Sequence, residues 1–330
     1  MSPAQTFGAL RLNWGDHTHP CTHTTMSTSS PAATQPKPLL KPLRGVRVLS
    51  LALNLPGPAA LMRLKAMGAT CTKAEPPGRD PATSGDPMGA YNLAAYDTMH
   101  DGIKVIAMDL KTEQGQKALH RALARTDLLL TSFRPSALKK LGLDWRSLHP
   151  QYPALSMVAI YGAPGERAEE PGHDLTYLAE ADLVPGMNLP ATLFADMSGA
   201  LMTSEAALQA VLHQKTTGKS SFQSVALSEA AQWLALPRTW GLTRPQGAVG
   251  GAHAGYQIYP CKNGRVAVAA LEPHFAAALC KAAGVEITSM GTLFQAETHQ
   301  AIARFLAGKT RKQLDKLAAS KDIPLHTLTT

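Results

Sequence analysis

Residues 43–78 read LRGVRVLSLALNLPGPAALMRLKAMGATCTKAEPPG, and the fold class can be predicted from them. The apolar run VRVLSLAL at 46–53 has the length of a buried strand. The turn residues NLPGP follow it, and the apolar spacing at 59–67 predicts a helix that Gly68 ends. Residues 70–75 then predict a second strand, which a Pro-Pro-Gly turn closes. The stretch is therefore a strand, a helix and a strand, the repeating pattern of α/β proteins.

The same alternation continues along the first half of the chain. A helix is predicted from residue 112 to about residue 125. Further strands are predicted at residues 104–110, 127–133 and 155–160. Because strands that alternate with helices pair in parallel, we expect an α/β fold whose Rossmann-like large domain has a mostly parallel sheet with helices on both faces.

The pattern changes after residue 196. One long amphipathic helix is predicted at residues 197–214, followed by a strand at residues 221–227. Residues 256–271 predict a β-hairpin, because Asn-Gly between two β-rich runs is a strong turn signal. Helices are then predicted to begin at Pro273, Phe294 and Arg311. This second pattern predicts a smaller α+β domain.

The first 40 residues differ in composition from the rest of the chain. They are rich in Thr, Ser, Pro and His without a sustained period, which predicts a disordered tail. His17, His19, Cys21 and His23 alternate within it, but a tail offers no scaffold to orient ligands, so no metal site is expected. Met26 is an alternative start to Met1. We expect four segments: the tail at 1–40, a large α/β domain at 41–196, a connecting helix and linker at 197–224, and a small α+β domain at 225–330.

Composition argues against membrane-spanning, exported and nucleic-acid-binding proteins. No stretch approaches the roughly 18 to 20 apolar residues of a membrane span, and the N-terminus lacks an apolar signal core. The four cysteines are widely spaced, which is typical of a reducing compartment, so a cytoplasmic protein without a membrane partner is expected. The net charge is +8, but the charges are scattered and aromatic residues make up only 5%. We therefore expect no nucleic-acid partner, while an anionic ligand fits the charge.

An ordered series of short motifs resembles the family III CoA-transferases, or CaiB/BaiF superfamily. That family includes formyl-CoA transferase, carnitine CoA-transferase and α-methylacyl-CoA racemase. Each motif is weak alone, but their order and spacing identify the chain as a member from about residue 42 onward. The motifs are LRGVRVL (43–49), PGPA (56–59), GA (68–69), KAEPPG (73–78), DLKT (109–112), FRP (133–135) and LGL (141–143).

Three later motifs resemble the racemase branch of the family. They are Gly-His-Asp-Leu at 172–175, Phe-Ala-Asp at 194–196 and Leu-Glu-Pro-His-Phe at 271–275. The resemblance implies that His173, Asp196 and Glu272 form the proton-transfer machinery for 2-methylacyl-CoA esters.

These residue types suit inversion of a carbon next to a thioester carbonyl. Two acid/base groups must flank the carbon, and the enolate oxygen must be stabilised. A histidine titrates near neutrality, Glu272 could fix its tautomer, and Asp196 could serve the other face. We also expect backbone N–H groups at the helix start near Asp196 to lie close to the thioester oxygen.

Other interpretations of the same residues stay open. In the transferases the aspartate, here Asp196, is a nucleophile that carries CoA as a thioester and needs no histidine. His173 and Asp196 could each be a helix N-cap, and Glu272 could lie in a helix's first turn, while Asp174 is expected to be structural. The chain ends at Thr330 where relatives continue. We therefore expect a family III fold that is shortened at its C-terminus. The third interpretation is a non-catalytic paralogue that binds CoA esters.

The resemblance also implies a binding site for the coenzyme A part of the substrate, with no prosthetic group. We expect Pro56 and Gly57 to shape the loop over the pantetheine arm. Basic side chains suit the phosphates of the ADP moiety. The candidates are Arg79, Lys104, Arg134 and Lys139. As in the family, an interlocked homodimer is expected.

Overall fold

A computed structural model of the chain describes residues 40–80 and 83–329. The alternating His and Cys residues of the predicted tail lie outside the described residues. Within them, no helix is both long and apolar enough to cross a bilayer.

Residues 47–226 contain a six-stranded sheet in which every pair of neighbouring strands is parallel. Its strand order is β3-β2-β1-β4-β5-β6, so the order reverses between β1 and β4. In doubly wound sheets, the loops at the carboxyl ends of the strands open a crevice at this reversal. The predicted Rossmann-like α/β fold is confirmed. The strands are β1 (Arg47–Ser50), β2 (Thr70–Glu75), β3 (Lys104–Ala107), β4 (Leu128–Thr131), β5 (Ser156–Tyr161) and β6 (Phe222–Ala226).

Helices cover both faces of this sheet. One core includes Leu61, Leu178 and Ala207, and the core on the other face includes Leu119 and Leu138. Burial on both faces explains why the central strands are apolar without alternation. The helices are α1 (Pro56–Ala66), α2 (Pro87–Tyr91), α3 (Leu93–His100), α4 (Glu113–Leu123), α5 (Pro135–Leu141), α6 (Trp145–Leu148), α7 (Asp174–Glu180), α8 (Phe194–Thr217), α9 (Leu227–Leu234) and α10 (Leu236–Thr239).

Helix α8 is longer at both ends than the sequence pattern predicts. It runs from Phe194 to Thr217, and its C-cap is Gly218, whose φ of +72° is the left-handed conformation that glycine adopts easily. Asp196 is therefore the third helical residue, and its interpretation as the N-cap is wrong because Leu193 occupies that position.

The second half ends in a three-stranded antiparallel sheet of order β7-β8-β9. The predicted hairpin forms strands β7 (Tyr256–Cys261) and β8 (Gly264–Ala269), and β9 (Leu325–Leu328) pairs with β8. Helices α11 (Pro273–Ala283), α12 (Ala296–Ala307) and α13 (Arg311–Lys321) pack on it through residues such as Leu279 and Ile302. The smaller α+β part is thus confirmed, whereas the domain limits stay predictions.

Candidate active site

A polar cavity of about 160 Å³ opens at the carboxyl edge of the large sheet. The loops after β1, β4 and β5 form its floor, and the first turns of α7 and α8 form a wall. It therefore lies at the crevice where the strand order reverses. Its polar lining includes Asn54, Arg134, Glu170, His173, Tyr177 and Asp196.

His173 is held at the cavity by its own backbone. It is the N-cap of α7, and the Thr176 hydroxyl accepts a hydrogen bond from its N–H at 3.1 Å and donates one to its carbonyl at 2.7 Å. The N-cap interpretation is thus right for the position. The imidazole is exposed and lines the polar cavity. The ring is available to a substrate.

Asp196 is held by a neighbouring acid. Its backbone N–H donates a hydrogen bond to an Asp174 carboxylate oxygen at 3.0 Å, and Asp174 is only 4% exposed. An acid suits this place because the first N–H groups of a helix lack partners within it. Burial, and secondarily the charge of Asp174, raises the pKa of Asp196 to about 7. The half-buried Asp196 carboxyl can therefore gain or lose a proton near neutrality.

The same hydrogen bond changes one expectation from the sequence. The N–H of Asp196 was expected to lie among the donors for a thioester oxygen. Because Asp174 already accepts from it, that donor is occupied in the structure.

Tyr177 is a lining residue that the sequence did not reveal. Tyr177 is 7% exposed and lines the polar cavity. A Cβ at Gly162 would lie 2.2 Å from that hydroxyl oxygen, and a Cβ at Gly172 would lie 2.5 Å from it. The two glycines therefore make room for the phenol. Burial, followed by the charge of Asp196, raises the pKa of Tyr177, so the hydroxyl keeps its proton.

A buried ionic cluster supports the loop after β1. The Lys73 ammonium, fully buried, pairs with Asp86 and with Glu75, the latter at 3.1 Å. Its third partner is His100 Nε2 at 3.0 Å, while His100 Nδ1 donates to the Tyr96 carbonyl at 2.7 Å. Burial, together with Lys73, lowers the pKa of His100, which leaves the neutral ring able to accept from Lys73. The ammonium is thus hydrogen-bonded to Asp86 and His100, and Glu75 adds a second negative charge beside it.

An apolar cleft of about 430 Å³ lies along the same edge of the sheet. Its wall includes Pro76 and Pro77 after β2, Lys111 after β3 and Phe133 after β4. Phe133 adjoins Arg134, which lines the polar cavity, so the two openings share the loop after β4. An elongated ligand could occupy both.

The structure brings together two of the three predicted catalytic residues. His173 and Asp196 line the polar cavity. Glu272 does not line it and is exposed as the N-cap of α11, with Pro273 as the first helical residue. Within a single chain, the predicted three-residue machinery is therefore incomplete.

Two of the residues predicted to bind coenzyme A also reach the polar cavity or its rim. Pro56 and Arg134 line it. Gly57 is buried in the first turn of α1, where a Cβ would come within 2.2 Å of the Ala52 Cβ. Gly57 thus allows α1 to pack closely against the end of β1.

The remaining basic candidates lie elsewhere. Arg79 lines a separate opening of about 710 Å³ between the turn after β2 and α2. Lys104 begins β3, and Lys139 is exposed on α5. Neither lines the polar cavity or the apolar cleft, whereas Lys111, which the sequence did not single out, lines the latter.

Known proteins resemble this chain in sequence and in fold. The profile of CoA-transferase family III matches residues 43–330. The crystal structure of Rv3272 from Mycobacterium tuberculosis resembles this fold with a TM-score of 0.74 and 25% identity, covering 88% of this chain and 86% of that chain.

Two curated relatives are named for different activities. "Probable fatty acyl-CoA transferase Rv3272" of Mycobacterium tuberculosis is 35% identical over 220 residues, which cover 62% of this chain and 53% of that protein. The alpha-methylacyl-CoA racemase of Mus musculus is 29% identical over 262 residues, which cover 74% of this chain and 65% of that protein. The matches thus span between about half and two thirds of these relatives.

Proposed function

Because the chain belongs to CoA-transferase family III, we propose that it binds acyl-coenzyme A thioesters and racemises 2-methylacyl-CoA by proton transfer at the carbon next to the thioester. The observation that carries this proposal is that His173 and Asp196 line one cavity at the carboxyl edge of the sheet. The matched alpha-methylacyl-CoA racemase supports the same activity.

The two residues suit a two-base reaction. One removes the α-proton, the C–H electron pair moves toward the thioester oxygen, and the other returns a proton on the opposite face. A general acid or base works best when its pKa is near the working pH. Burial and Asp174 raise the pKa of Asp196 to about 7, and histidine is the side chain that most often serves as a general acid or base. The Asp196 carboxyl can therefore begin protonated or ionised, as each direction of the reaction requires.

Coenzyme A has a place to bind beside this cavity. The apolar cleft would take the adenosine end and the shared loop after β4 would guide the pantetheine arm, so that the thioester reaches the polar cavity. Arg134 and Lys111 would meet the phosphates, because their charges lie along that path.

Glu272 would join the site from a second copy of the chain. An exposed apolar stripe on α8 supports a homodimer next to the cavity: Phe194, Met197 and Leu201 are 44%, 44% and 50% exposed on one face of the helix. Light scattering would test this assembly, and a monomer at all concentrations would contradict it.

Transfer of CoA between carboxylic acids is the second candidate. The matched fatty acyl-CoA transferase and the cavity-facing Asp196 favour it. Asp196 would attack the acyl-CoA carbonyl to form a mixed anhydride, and the released CoA thiolate would then attack the aspartyl carbonyl and displace the carboxylate. His173 has no role in that sequence, which is why we place racemisation first. A non-catalytic CoA-ester-binding protein is the third candidate.

One experiment separates the three. The protein is incubated in D₂O with a panel of 2-methylacyl-CoA esters, and α-deuterium is measured by mass spectrometry. Racemisation predicts incorporation. A hydroxylamine-sensitive CoA adduct on Asp196 without incorporation would show transfer instead. Binding with neither outcome would show a non-catalytic protein.

A further inference from the structure

The loop after β1 presents Asn54 to the polar cavity in a constrained backbone conformation. Asn54 has a φ of +64°, in the left-handed region that few residues other than glycine adopt. Asparagine tolerates this region better than most residues. Such conformations persist only where the surroundings hold them, and they occur often at functional sites.

The buried ionic cluster holds the Asn54 backbone. The Asn54 N–H donates a hydrogen bond to an Asp86 carboxylate oxygen at 3.0 Å. Asp86 is 1% exposed and pairs with the fully buried Lys73. The position of Asn54 is therefore fixed by a charged group that cannot move without breaking a buried ion pair.

The Asn54 side chain has one end engaged and the other free. The Tyr91 hydroxyl donates a hydrogen bond to Asn54 Oδ1 at 3.4 Å. Burial, and then the charges of Asp86 and Asp196, raises the pKa of Tyr91, so the phenol stays a donor. Within residues 40–80 and 83–329, the Asn54 Nδ2 group makes no hydrogen bond. Its two N–H donors are available to a ligand in the cavity.

The proposed reaction needs such a donor. When the α-proton leaves, the C–H electron pair moves onto the thioester oxygen, and it returns when the carbon is protonated again. Neutral donors aimed at that oxygen lower the barrier. The N–H of Asp196 is already bonded to Asp174, so it does not meet this need.

We propose that Asn54 is a substrate-contacting residue whose Nδ2 group donates a hydrogen bond to the thioester oxygen and stabilises the enolate. This role rests on the proposed binding of acyl-CoA thioesters in the polar cavity. The Lys73–Asp86 pair acts as a positioning device for Asn54, through the backbone hydrogen bond.

The kinetic test uses Asn54→Gly and Asn54→Asp. Glycine accepts the positive φ, and aspartate keeps the shape, so neither change strains the loop, while both remove the Nδ2 donors. We expect kcat for α-proton exchange to fall about 100-fold, while KM rises by no more than the roughly 5- to 10-fold that loss of one hydrogen bond to the bound thioester gives. The matched control is Asp322→Gly, another left-handed residue, which lies at the end of α13 and should exchange at the normal rate.

The binding test does not require turnover. Isobutyryl-CoA is compared by calorimetry with S-isobutyl-CoA, the thioether that lacks the carbonyl oxygen. The unchanged protein should bind the thioester about 5- to 10-fold more tightly, as expected for one hydrogen bond. Asn54→Gly should bind both equally, and Tyr177→Phe should keep the preference.

The outcomes separate this role from the proposed function. A preference for the thioester that survives in Asn54→Gly, or is lost only in Tyr177→Phe, overturns the role of Asn54 and leaves the proposed function standing. Equal loss of affinity for both ligands in Asn54→Gly shows a structural residue. Failure of the unchanged protein to bind either ligand overturns both.

Discussion

Asp196 and Asp174 are joined by a hydrogen bond of 3.0 Å from the backbone N–H of the first to the carboxylate of the second. This bond ties the first turn of α8 to the first turn of α7, and so fixes Asp196 relative to His173, the N-cap of α7. It also places two acids side by side, which helps to raise the pKa of Asp196 to about 7. This contact therefore fixes the position of the carboxyl group, while burial first and the charge of Asp174 second raise its pKa.

The raised pKa of Asp196 predicts how stability depends on pH. The folded chain holds this proton more tightly than the unfolded chain, where the pKa is near 3.8. Protonated Asp196 therefore contributes fully to the free energy of unfolding below about pH 3.8. This contribution falls as the pH rises toward about 7. Asp196→Asn removes this dependence, so it should be more stable than the unchanged protein at about pH 8, but not at about pH 4. Urea midpoints at both values test this, and equal midpoints at the higher pH would refute it.

Alanine substitutions at Gly162 and at Gly172 should respond differently to the same second substitution, Tyr177→Phe. Gly162→Ala and Gly172→Ala should both destabilise, because the new Cβ meets the Tyr177 hydroxyl oxygen at 2.2 and 2.5 Å. Tyr177→Phe should rescue Gly162→Ala, whose next contact is at 3.1 Å. It should not rescue Gly172→Ala, which also meets ring carbons at 2.7 Å. Melting temperatures of the double variants decide this, and equal rescue of both would contradict the packing.

The buried lysine should matter more than an exposed one. Lys73→Met leaves Asp86 and Glu75 without their cation, and breaking a buried pair typically costs about 3–5 kcal/mol. Lys104→Met, at an exposed strand start, should change the free energy of unfolding by less than about 0.5 kcal/mol. Urea unfolding gives both values. A Lys73 variant as stable as the control would show that the cluster contributes nothing to stability.

Coenzyme A affinity should depend on Arg134 and not on Lys139. Arg134 lines the polar cavity, whereas Lys139 lines neither opening. Arg134→Ala should weaken CoA binding about tenfold or more, as expected for a lost charged hydrogen bond. Lys139→Ala, also on the loop and helix after β4, is the matched control. Calorimetry with CoA measures both, and a larger loss in the control would place the phosphates elsewhere.

The sequence predicts the large sheet well because its strands are apolar runs bounded by turns. Residues 70–75 form β2 at the predicted limits. A helix precedes this segment and a proline turn closes it, so both ends of the strand are marked in the sequence. Strand β9 escapes prediction because its short segment becomes a strand only by pairing with β8 across the intervening helices. A local pattern carries no record of such a distant partner.

The site is predictable only in part for a similar reason. His173 and Asp196 lie in motifs, so their type and order identify them, and both line the cavity. Asn54 and Tyr177 do not stand out, because their roles depend on a left-handed backbone and on space that two glycines leave. Lys104 begins β3 and lines neither opening, because charge alone does not reveal which end of a strand faces the crevice, and its role in binding coenzyme A stays a prediction.

The most direct test of a two-base site at His173 and Asp196 is loss of the α-proton from each enantiomer of a 2-methylacyl-CoA in D₂O. The unchanged protein should exchange both enantiomers. His173→Gln should retain exchange of one enantiomer only, and Asp196→Asn should retain exchange of the other, because each variant keeps the base for one face. If both variants lose the same enantiomer, or if either variant exchanges both as the unchanged protein does, the two residues do not flank the reacting carbon.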